Sequence, residues 1–231
     1  MKLSIVIPCY NEKATVEALL QAVERVDLGD IQKEILCIDD GSTDGTREIL
    51  QRLASEGRCK ALLHERNRGK GSALRTGFAH VTGDIIIIQD ADLEYDPEDY
   101  PSLIASIVKG HERVVYGSRE RHDDNRTHSG WSFYAGGLLL TWLTNLLYRS
   151  HLTDEPTCYK VFDASLLQSI PLTCKRFEFC PEVTAKILKR GIAIHEIPIS
   201  YHPRKAGEGK KIGLRDGLQA IWTLLWYRLF E

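Results

Sequence analysis

The chain has 231 residues, of which 43% are hydrophobic and 27% are charged. This length suits one large α/β domain with a sizeable core, or one domain with a small appendage. Lysine and arginine number 30 against 32 aspartates and glutamates, and the net charge of −2 gives no overall attraction to nucleic acid. We therefore expect no nucleic-acid partner.

The six cysteines show no C-x-x-C spacing, and Cys9 and Cys37 fall in apolar strand patterns typical of small buried hydrophobes. A reduced, cytoplasmic setting is therefore expected. The first eight residues are too short and too strand-like to be a signal peptide. His64, His80 and His111 are expected at the surface.

The first half of the chain alternates strand and helix patterns. Apolar runs predict strands over residues 3–7, 34–38, 61–63, 84–89 and 114–116. Apolar residues at helical spacing predict helices between them, including one near 97–108. Repeated β-α units imply a parallel sheet with right-handed crossovers. The predicted fold class is α/β, a Rossmann-like and mostly parallel sheet flanked by helices.

Two later segments are predicted to be helices with an apolar surface. Residues 131–148 carry no charge over 18 residues, near the lower limit for a membrane span. A polar stripe nevertheless runs along them, at Thr141, Thr144, Asn145 and Tyr148. This two-sided pattern indicates a helix docked on the domain or lying at a membrane surface, rather than a span.

The C-terminal segment, residues 214–231, is predicted to be an amphipathic helix. Its apolar face comprises Leu214, Leu218, Ile221, Trp222, Leu225 and Leu229, and its polar face comprises Arg215, Asp216, Gln219 and Thr223. The helix either packs on the core or lies at a membrane interface, and Trp222, Trp226 and Tyr227 favour a surface near lipid. The predicted division is a catalytic domain at 1–212 and this helix at 213–231.

The junction between the isoleucines at 85–88 and the sequence Gln89-Asp90-Ala91-Asp92 carries the main chemical signal. An unbroken apolar strand is typical of a sheet buried on both faces, and ligands bind at the carboxyl edge of such sheets. Two carboxylates at that edge suit Mg²⁺ or Mn²⁺ held together with a diphosphate. A solvated acidic turn is the alternative interpretation.

Two more acidic clusters follow predicted strands, with Glu12 after the first strand and Asp39 and Asp40 after the second. Carboxylates that converge at one edge raise one another's pKa values and need a cation or hydrogen-bond donors. The convergence therefore predicts a metal-nucleotide site, in which Asp39 or Asp40 binds a base or a ribose. A turn before a helix is the structural alternative for Asp40.

Basic residues accompany these acids. Lys70 lies in a glycine-bearing loop that lacks the earlier glycine of a P-loop, so we reject that motif. Arg119 ends the fifth predicted strand, where it can meet a phosphate. Residues 201–215 contain five basic side chains and one acidic one, Glu208. Such a basic loop can close over a departing diphosphate, and a solvated loop is the alternative.

These motifs together resemble the family 2 glycosyltransferases, nucleotide-sugar enzymes of the GT-A fold. The resemblance rests on residues 7–12, 39–42, 69–74, 90–94, 117–119, 153–162 and 201–212. Within the family, the chain is most similar to the dolichyl- or polyprenyl-phosphate mannose and glucose synthases. This resemblance implies a metal-dependent, inverting transfer of a hexose from a GDP-mannose or UDP-glucose type donor to a polyprenyl phosphate.

Three alternatives to that function stay open. The first is a glycosyltransferase acting on a hydroxyl acceptor in polysaccharide or glycolipid synthesis. The second is a sugar-phosphate nucleotidyltransferase, which counts as weaker because residues 8–12 stand where such enzymes carry a glycine-rich basic loop. The third is a nucleotide-binding module without activity, which the retained Asp90, Asp92 and basic loop disfavour.

The resemblance also assigns roles to individual residues. It implies a nucleotide and donor site at Pro8, Tyr10, Glu12, Asp39, Asp40, Lys70, Asp90 and Arg126. The implied metal ligands, for Mg²⁺ or Mn²⁺, are Asp90, Asp92 and Glu94, the last standing where many relatives have glutamine. The implied catalytic set is Asp92, Arg119, Arg204 and Lys211, whose basic members, with Arg126, contact phosphates.

The resemblance also implies that residues 154–160 form the acceptor side. A hydroxyl acceptor would need a general base, for which the candidates are Asp154, Glu155, Glu178 and Glu182. Many relatives add transmembrane helices after this domain. If the acceptor is a lipid, we expect residues 131–148 and 214–230 to make a peripheral contact at the inner face of the membrane.

Overall fold

The computed structural model describes residues 1–122, 125, 130–204 and 213–230, apart from the side chains of Ser132 and Phe133. Arg126 and Lys211, to which the sequence gives phosphate-binding roles, lie outside the described residues.

Seven strands form one sheet in the described part of the chain. They are β1 (Lys2–Cys9), β2 (Gln32–Asp39), β3 (Lys60–Leu63), β4 (Ile85–Ile88), β5 (Val114–Ser118), β6 (Lys160–Asp163) and β7 (His195–Pro198). Their order is β3-β2-β1-β4-β6-β5-β7. Strand β6 is antiparallel to both of its neighbours, and the other pairs are parallel. The predicted α/β class and mostly parallel sheet are confirmed, with β6 and β7 as additions.

Helices cover the sheet. They are α1 (Val16–Arg25), α2 (Thr46–Ser55), α3 (Lys70–Phe78), α4 (Tyr100–Val108), α5 (Trp131–Tyr148), α6 (Ala164–Gln168), α7 (Phe179–Lys189) and α8 (Leu214–Leu229). The segment predicted as one helix near 97–108 is a 3₁₀ turn, Pro97–Asp99, followed directly by α4. All four isoleucines of β4 are buried, as expected for a strand covered on both faces.

The register of the parallel strands brings their carboxyl ends to one edge of the sheet. Cys9 at the end of β1 pairs with Asp39 at the end of β2, and Val6 pairs with Ile88 at the end of β4. The acidic segments that follow these strands therefore start from neighbouring points, as the sequence predicts.

Helix α8 packs with its polar side inward. It lies against α5 and α7, and Asp216, Thr223 and Leu224 are buried there. Residues of the predicted apolar face, such as Leu218 and Trp222, are exposed instead. The helix thus packs on the rest of the domain, but not through the apolar face that the sequence pattern suggests. No helix in the described ranges is long and apolar enough to cross a membrane.

The inward side of α8 finds polar partners on α7 and on the loop before it. The Glu182 carboxylate accepts hydrogen bonds from Thr173 N (2.8 Å), Cys174 N (2.7 Å), Lys186 Nζ (2.8 Å) and the Tyr227 hydroxyl (2.9 Å). Burial raises the pKa of Glu182, but these donors outweigh it, and the pKa lies below the ordinary glutamate value. The buried carboxylate thus helps to hold α8 in place.

We expect Glu182→Gln to lower the free energy of unfolding at neutral pH by about 2–3 kcal/mol, because a charged acceptor of several hydrogen bonds is lost. A carboxylate whose pKa is depressed by folding stabilises the protein above its unfolded pKa and loses this effect as the pH falls through the folded pKa. The difference from wild type should therefore shrink below the ordinary value of 4.5. Urea unfolding measured across pH checks this.

The exposed Glu48 on α2 supplies the matched control, since Glu48→Gln removes a solvated carboxylate. That variant should follow the wild-type curve at every pH. A Glu182→Gln difference that stays constant down to acid pH would contradict the role of the ionised carboxylate.

Candidate active site

A cavity of about 970 Å³ opens at the carboxyl edge of the sheet and extends between α5 and α8. Ten of the predicted site residues line it: Pro8, Tyr10, Glu12, Asp40, Lys70, Asp90, Asp92, Glu94, Arg119 and Arg204. These residues come from six separate segments of the sequence, and the fold brings them to one place.

The end of β4 is held by a residue that the sequence pattern does not single out. Gln89 is fully buried; its Oε1 accepts hydrogen bonds from the hydroxyls of Tyr100 (2.7 Å) and Tyr159 (2.6 Å). Its Nε2 donates to the carbonyl oxygen of Asp90 (3.0 Å). The backbone that carries the two aspartates is thereby fixed. A polar residue closing an apolar strand was the available signal.

Two basic side chains pair with the two aspartates. Lys70 Nζ lies 2.6 Å from Asp90 Oδ1, and Arg204 Nη2 lies 2.8 Å from Asp92 Oδ2. Arg204 also lies 3.5 Å from Glu12 Oε2. The acidic clusters after β1 and β4 thus meet around one guanidinium group.

The electrostatics of this cluster favour added positive charge. Burial, followed by the negative charges of Asp90 and Glu94, raises the pKa of Asp92 to about 6 against the opposing charge of Arg204. Burial lowers the pKa of Lys70, but the charge of Asp90 raises it above its ordinary value, so the ammonium stays protonated. The carboxylates therefore repel one another even with both basic partners in place.

The donor set fits a hard divalent cation that arrives with a diphosphate. Within the described ranges, no group of three or more histidine, cysteine or acidic side chains is arranged to hold a metal ion by itself. Mg²⁺ and Mn²⁺ often use only one or two carboxylates together with substrate phosphates and water. Asp90 and Asp92 present such oxygens to the cavity.

Glu94 anchors the segment that leads into the basic loop. Its carboxylate accepts hydrogen bonds from Arg204 N (2.9 Å) and from the Tyr201 hydroxyl (3.2 Å), and its carbonyl accepts one from His202 N (2.8 Å). Its predicted place as a metal ligand stays a prediction.

Asp40 lies where it could contact a ligand and also takes part in hydrogen bonds within the protein. It lines the cavity, and its carboxylate accepts hydrogen bonds from Arg68 N (2.9 Å) and Gly69 N (2.7 Å). His64 Nδ1 lies 2.7 Å from the same carboxylate, and His64 is buried. The surface placement predicted for His64 is therefore wrong, whereas His80 and His111 are exposed.

Asp39 takes a different position. It is fully buried, accepts hydrogen bonds from Arg47 Nε (2.8 Å) and Ser42 N (3.1 Å), and is absent from the residues that line the cavity in the described structure. Its contact with a nucleotide stays a prediction.

The amino end of α3 is not arranged as a phosphate loop. The amide of Gly71 donates to the carbonyl of Arg176 (3.0 Å), and the amide of Ser72 donates to the carbonyl of Lys175 (3.0 Å). A Cβ atom at Gly69 would lie 2.3 Å from the Lys175 carbonyl oxygen, so only glycine permits this approach. The amides are used within the protein, in agreement with the rejection of a P-loop.

Arg119 forms a two-point ion pair on the other side of the cavity. Its Nε and Nη2 each lie 2.7 Å from a carboxylate oxygen of Asp154. Its backbone amide donates a hydrogen bond to the same carboxylate at 2.9 Å. Its guanidinium lies 5.2 Å from the ring centre of Tyr201. Burial lowers the pKa of Arg119, but Asp154 raises it well above its usual range, so the side chain stays cationic.

The four carboxylates considered as general bases are all engaged or enclosed. Asp154 is held by Arg119, and Glu178 accepts from the amides of Lys175 (2.7 Å) and Arg176 (3.0 Å). Glu182 fixes α8, as described above. Glu155 is fully buried, with its Oε1 accepting from the Thr184 hydroxyl (3.0 Å). The geometry thus singles out none of them as a base.

Comparison with known proteins places the chain in a family of glycosyltransferases. Residues 4–170 match the family model described as glycosyl transferase family 2, and the chain belongs to this family. The family predicted from the motifs is confirmed, and this membership counts against the nucleotidyltransferase alternative.

One relative is the undecaprenyl-phosphate 4-deoxy-4-formamido-L-arabinose transferase of Edwardsiella ictaluri (strain 93-146), which is 31% identical over 225 residues. The aligned region covers 96% of this chain and 66% of that protein, so the chain spans about two thirds of its relative's length.

Among solved structures, the glucosyl-3-phosphoglycerate synthase of Mycobacterium tuberculosis in complex with Mn²⁺, UDP and phosphoglyceric acid matches with a TM-score of 0.75 and 21% identity. The match covers 100% of this chain and 79% of that chain. The complex of the same synthase with Mg²⁺ and UDP gives a TM-score of 0.74 and 21% identity, over 98% of this chain and 79% of that one. These similarities establish the GT-A fold.

Proposed function

We propose that the chain is a metal-dependent, inverting glycosyltransferase that moves a hexose from a nucleotide sugar to a polyprenyl phosphate. The observation that carries this proposal is the two-part character of the cavity. One end is polar, at Asp92 and Arg119, and the other is apolar, between Leu139 of α5 and Leu218 and Ile221 of α8. A lipid phosphate has the same two parts, an ionised head and a hydrocarbon tail.

The donor side of the proposal rests on the polar end. Pro8, Tyr10, Glu12, Asp40 and Lys70 line it and would contact a GDP-mannose or UDP-glucose type donor. The synthase structures that contain UDP with Mn²⁺ or Mg²⁺ support this class of donor. The contacts proposed for Asp39, Arg126 and Lys211 belong to the same hypothesis.

Asp90 and Asp92 would hold Mg²⁺ or Mn²⁺, with Glu94 as a further ligand. The bound ion would neutralise charge on the leaving nucleoside diphosphate. Lys70 and Arg204 already stand beside the aspartates and would donate hydrogen bonds to the diphosphate oxygens. Their fixed cationic groups stabilise charge that grows as the bond to the sugar breaks.

The acceptor side needs a cation more than it needs a base. A phosphate acceptor is already ionised near neutral pH, so its oxygen can attack the anomeric carbon without a general base. Arg119, held by Asp154, would orient that phosphate. Attack from the face opposite the diphosphate inverts the configuration. The relative named as an undecaprenyl-phosphate transferase supports this class of acceptor.

The proposal includes a peripheral contact with the cytoplasmic face of a membrane. At the apolar end of the cavity and beyond it, α5, α8 and the residue after α8 carry exposed apolar side chains that we call the outward surface: Trp131, Leu138, Leu139, Trp142, Leu146, Leu214, Leu218, Trp222, Trp226, Leu229 and Phe230. Exposed apolar patches of this kind mark interaction sites, and tryptophan is enriched where protein meets the lipid headgroups.

The direct test is transfer of labelled sugar from GDP-mannose or UDP-glucose to a short polyprenyl phosphate. We expect label in the lipid fraction with Mg²⁺ or Mn²⁺, and its loss when EDTA removes the ion. Donor hydrolysis that depends on metal, with an unlabelled lipid fraction, would overturn the acceptor and redirect the search to hydroxyl acceptors. Full transfer in EDTA would overturn the metal requirement.

A further inference from the structure

We infer that Glu196 is a positioning residue, which acts through Asp154 to aim Arg119 at the acceptor phosphate. This inference rests on the proposed function. Glu196 lies on β7 and is not itself among the described residues that line the cavity, and the sequence pattern gives it no role.

The Glu196 carboxylate collects hydrogen bonds from two consecutive residues. It accepts from Thr153 N (2.9 Å), from the Thr153 hydroxyl (2.9 Å) and from Asp154 N (3.0 Å). Its side chain is only 2% exposed, and Arg121 Nη2 lies 3.5 Å from it. These contacts fix the backbone at the start of the acceptor-side segment.

Thr153 and Asp154 connect Glu196 to Arg119. The Thr153 hydroxyl lies 2.7 Å from the hydroxyl of Ser118, the residue that precedes Arg119. Asp154 holds Arg119 at three points, through Nε, Nη2 and the backbone amide. The Nη1 nitrogen takes no part in this pair. Glu196 on β7 thus fixes the position of Asp154, and Asp154 in turn fixes the orientation of the Arg119 guanidinium.

The sheet makes this arrangement rigid. Strands β5 and β7 are paired in parallel, with Tyr116 opposite Glu196 and Ser118 opposite Pro198. Glu196 and Arg119 therefore extend from adjacent strands a few residues apart. A side chain held by a second layer of hydrogen bonds keeps its orientation better than one held by a single pair.

A carboxylate is required for this task because all the contacts come from donors. In Glu196→Gln the amide nitrogen cannot accept, so the Thr153 hydroxyl must reverse or lose its hydrogen bond to this side chain, and Arg121 loses the charge that faces it. The loop would relax, and a displacement of about 1 Å at a substrate-positioning group can cost up to ~100-fold in rate. Glu196→Asp keeps the charge and should recover part of the loss.

The test combines a spectroscopic readout with kinetics. In ¹⁵N spectra, the Nε–H signal of Arg119, identified by its disappearance in Arg119→Lys, should exchange with solvent faster in Glu196→Gln. In the transfer assay, the KM for polyprenyl phosphate should rise roughly 10-fold while the KM for the donor stays within about twofold, since only acceptor positioning is lost.

A double-mutant cycle separates positioning from general destabilisation. If Glu196 acts through Arg119, Glu196→Gln should change the acceptor KM little once Arg119 is lysine. Additive losses, or equal rises in both KM values, would overturn the inference.

Glu34 provides a matched control on β2. Its carboxylate also accepts from a threonine amide (2.8 Å), a threonine hydroxyl (2.7 Å) and a serine hydroxyl (2.5 Å), contributed by Thr82 and Ser4. Glu34→Gln should leave the Arg119 signal and the acceptor KM unchanged.

The two hypotheses fail in different ways. If wild-type protein labels no lipid, the proposed acceptor is wrong, and the exchange rate of the Arg119 signal still decides whether Glu196 positions Arg119. If lipid is labelled but the signal and the acceptor KM are unaffected by Glu196→Gln, the positioning role is wrong and the function stands.

Discussion

Replacement of Asp92 by asparagine is expected to lower turnover at least ~100-fold, the order of loss seen when a group that stabilises transition-state charge is removed. The substitution keeps the size of the side chain but removes the charge that would hold a divalent ion. It also removes one acidic partner of Arg204, whose Nη2 lies 2.8 Å from the carboxylate. Both effects act on the departing diphosphate.

The stability of the fold should change little in the same variant. Folding raises the pKa of Asp92 to about 6, chiefly through burial. A carboxyl group whose pKa is raised by folding destabilises the folded state increasingly as the pH rises from its unfolded pKa to its folded pKa and fully above that, so removing its charge relieves a cost at neutral pH. The lost ion pair with Arg204 opposes this gain. We expect the melting temperature to stay within about 3 °C of wild type.

Single-turnover kinetics and a Mn²⁺ titration of both proteins check this expectation. Glu98→Gln, an exposed acid six residues further along, serves as the control and should keep wild-type rates. Wild-type turnover in Asp92→Asn would show that Asp92 is not a metal ligand.

The sheet and the place of the site are predictable because both follow from the ends of strands. An apolar run such as 85–88 identifies a buried strand, and the carboxyl ends of parallel strands meet at one edge. Acidic residues at those ends must therefore converge. That argument needs only the order of residues.

Strand β6 is not predictable in this way. It has four residues, runs antiparallel to its neighbours, and includes Lys160, which is fully buried. The Lys160 ammonium donates a hydrogen bond to the carbonyl of Glu155 (2.6 Å) and lies 3.6 Å from the ring centre of Tyr116. Both partners are supplied by the folded structure, so a local pattern containing lysine gives no sign of a buried strand.

The pairing of Lys70 with Asp90 and of Arg204 with Asp92 is equally hidden, because the partners of each pair are far apart in sequence. The orientation of α8 shows a related limit. The pattern identifies a two-sided helix, but the side that faces inward depends on the polar groups that α7 offers, such as Glu182, which accepts a hydrogen bond from the buried Tyr227. Periodicity alone assumes that the apolar face is the buried one.

Replacement of Trp142 and Trp222 together by glutamine is expected to weaken binding to lipid vesicles by roughly 30- to 100-fold. The two side chains lie on α5 and α8, are 59% and 58% exposed, and do not line the cavity. Transfer of a large apolar side chain out of water is worth about 1.5–3 kcal/mol when it is complete, and partial insertion of two such chains gives about 2–3 kcal/mol.

Vesicles of equal parts phosphatidylcholine and phosphatidylglycerol, titrated into the protein, measure this affinity through sedimentation and the blue shift of tryptophan emission. Leu63→Gln with Val108→Gln is the matched control, because these exposed apolar side chains lie on β3 and at the end of α4, outside the outward surface. The control should bind as wild type does.

Since Trp142 and Trp222 are exposed, both double variants should keep the wild-type melting temperature. Equal vesicle affinity of wild type and the tryptophan variant would show that the outward surface does not meet lipid.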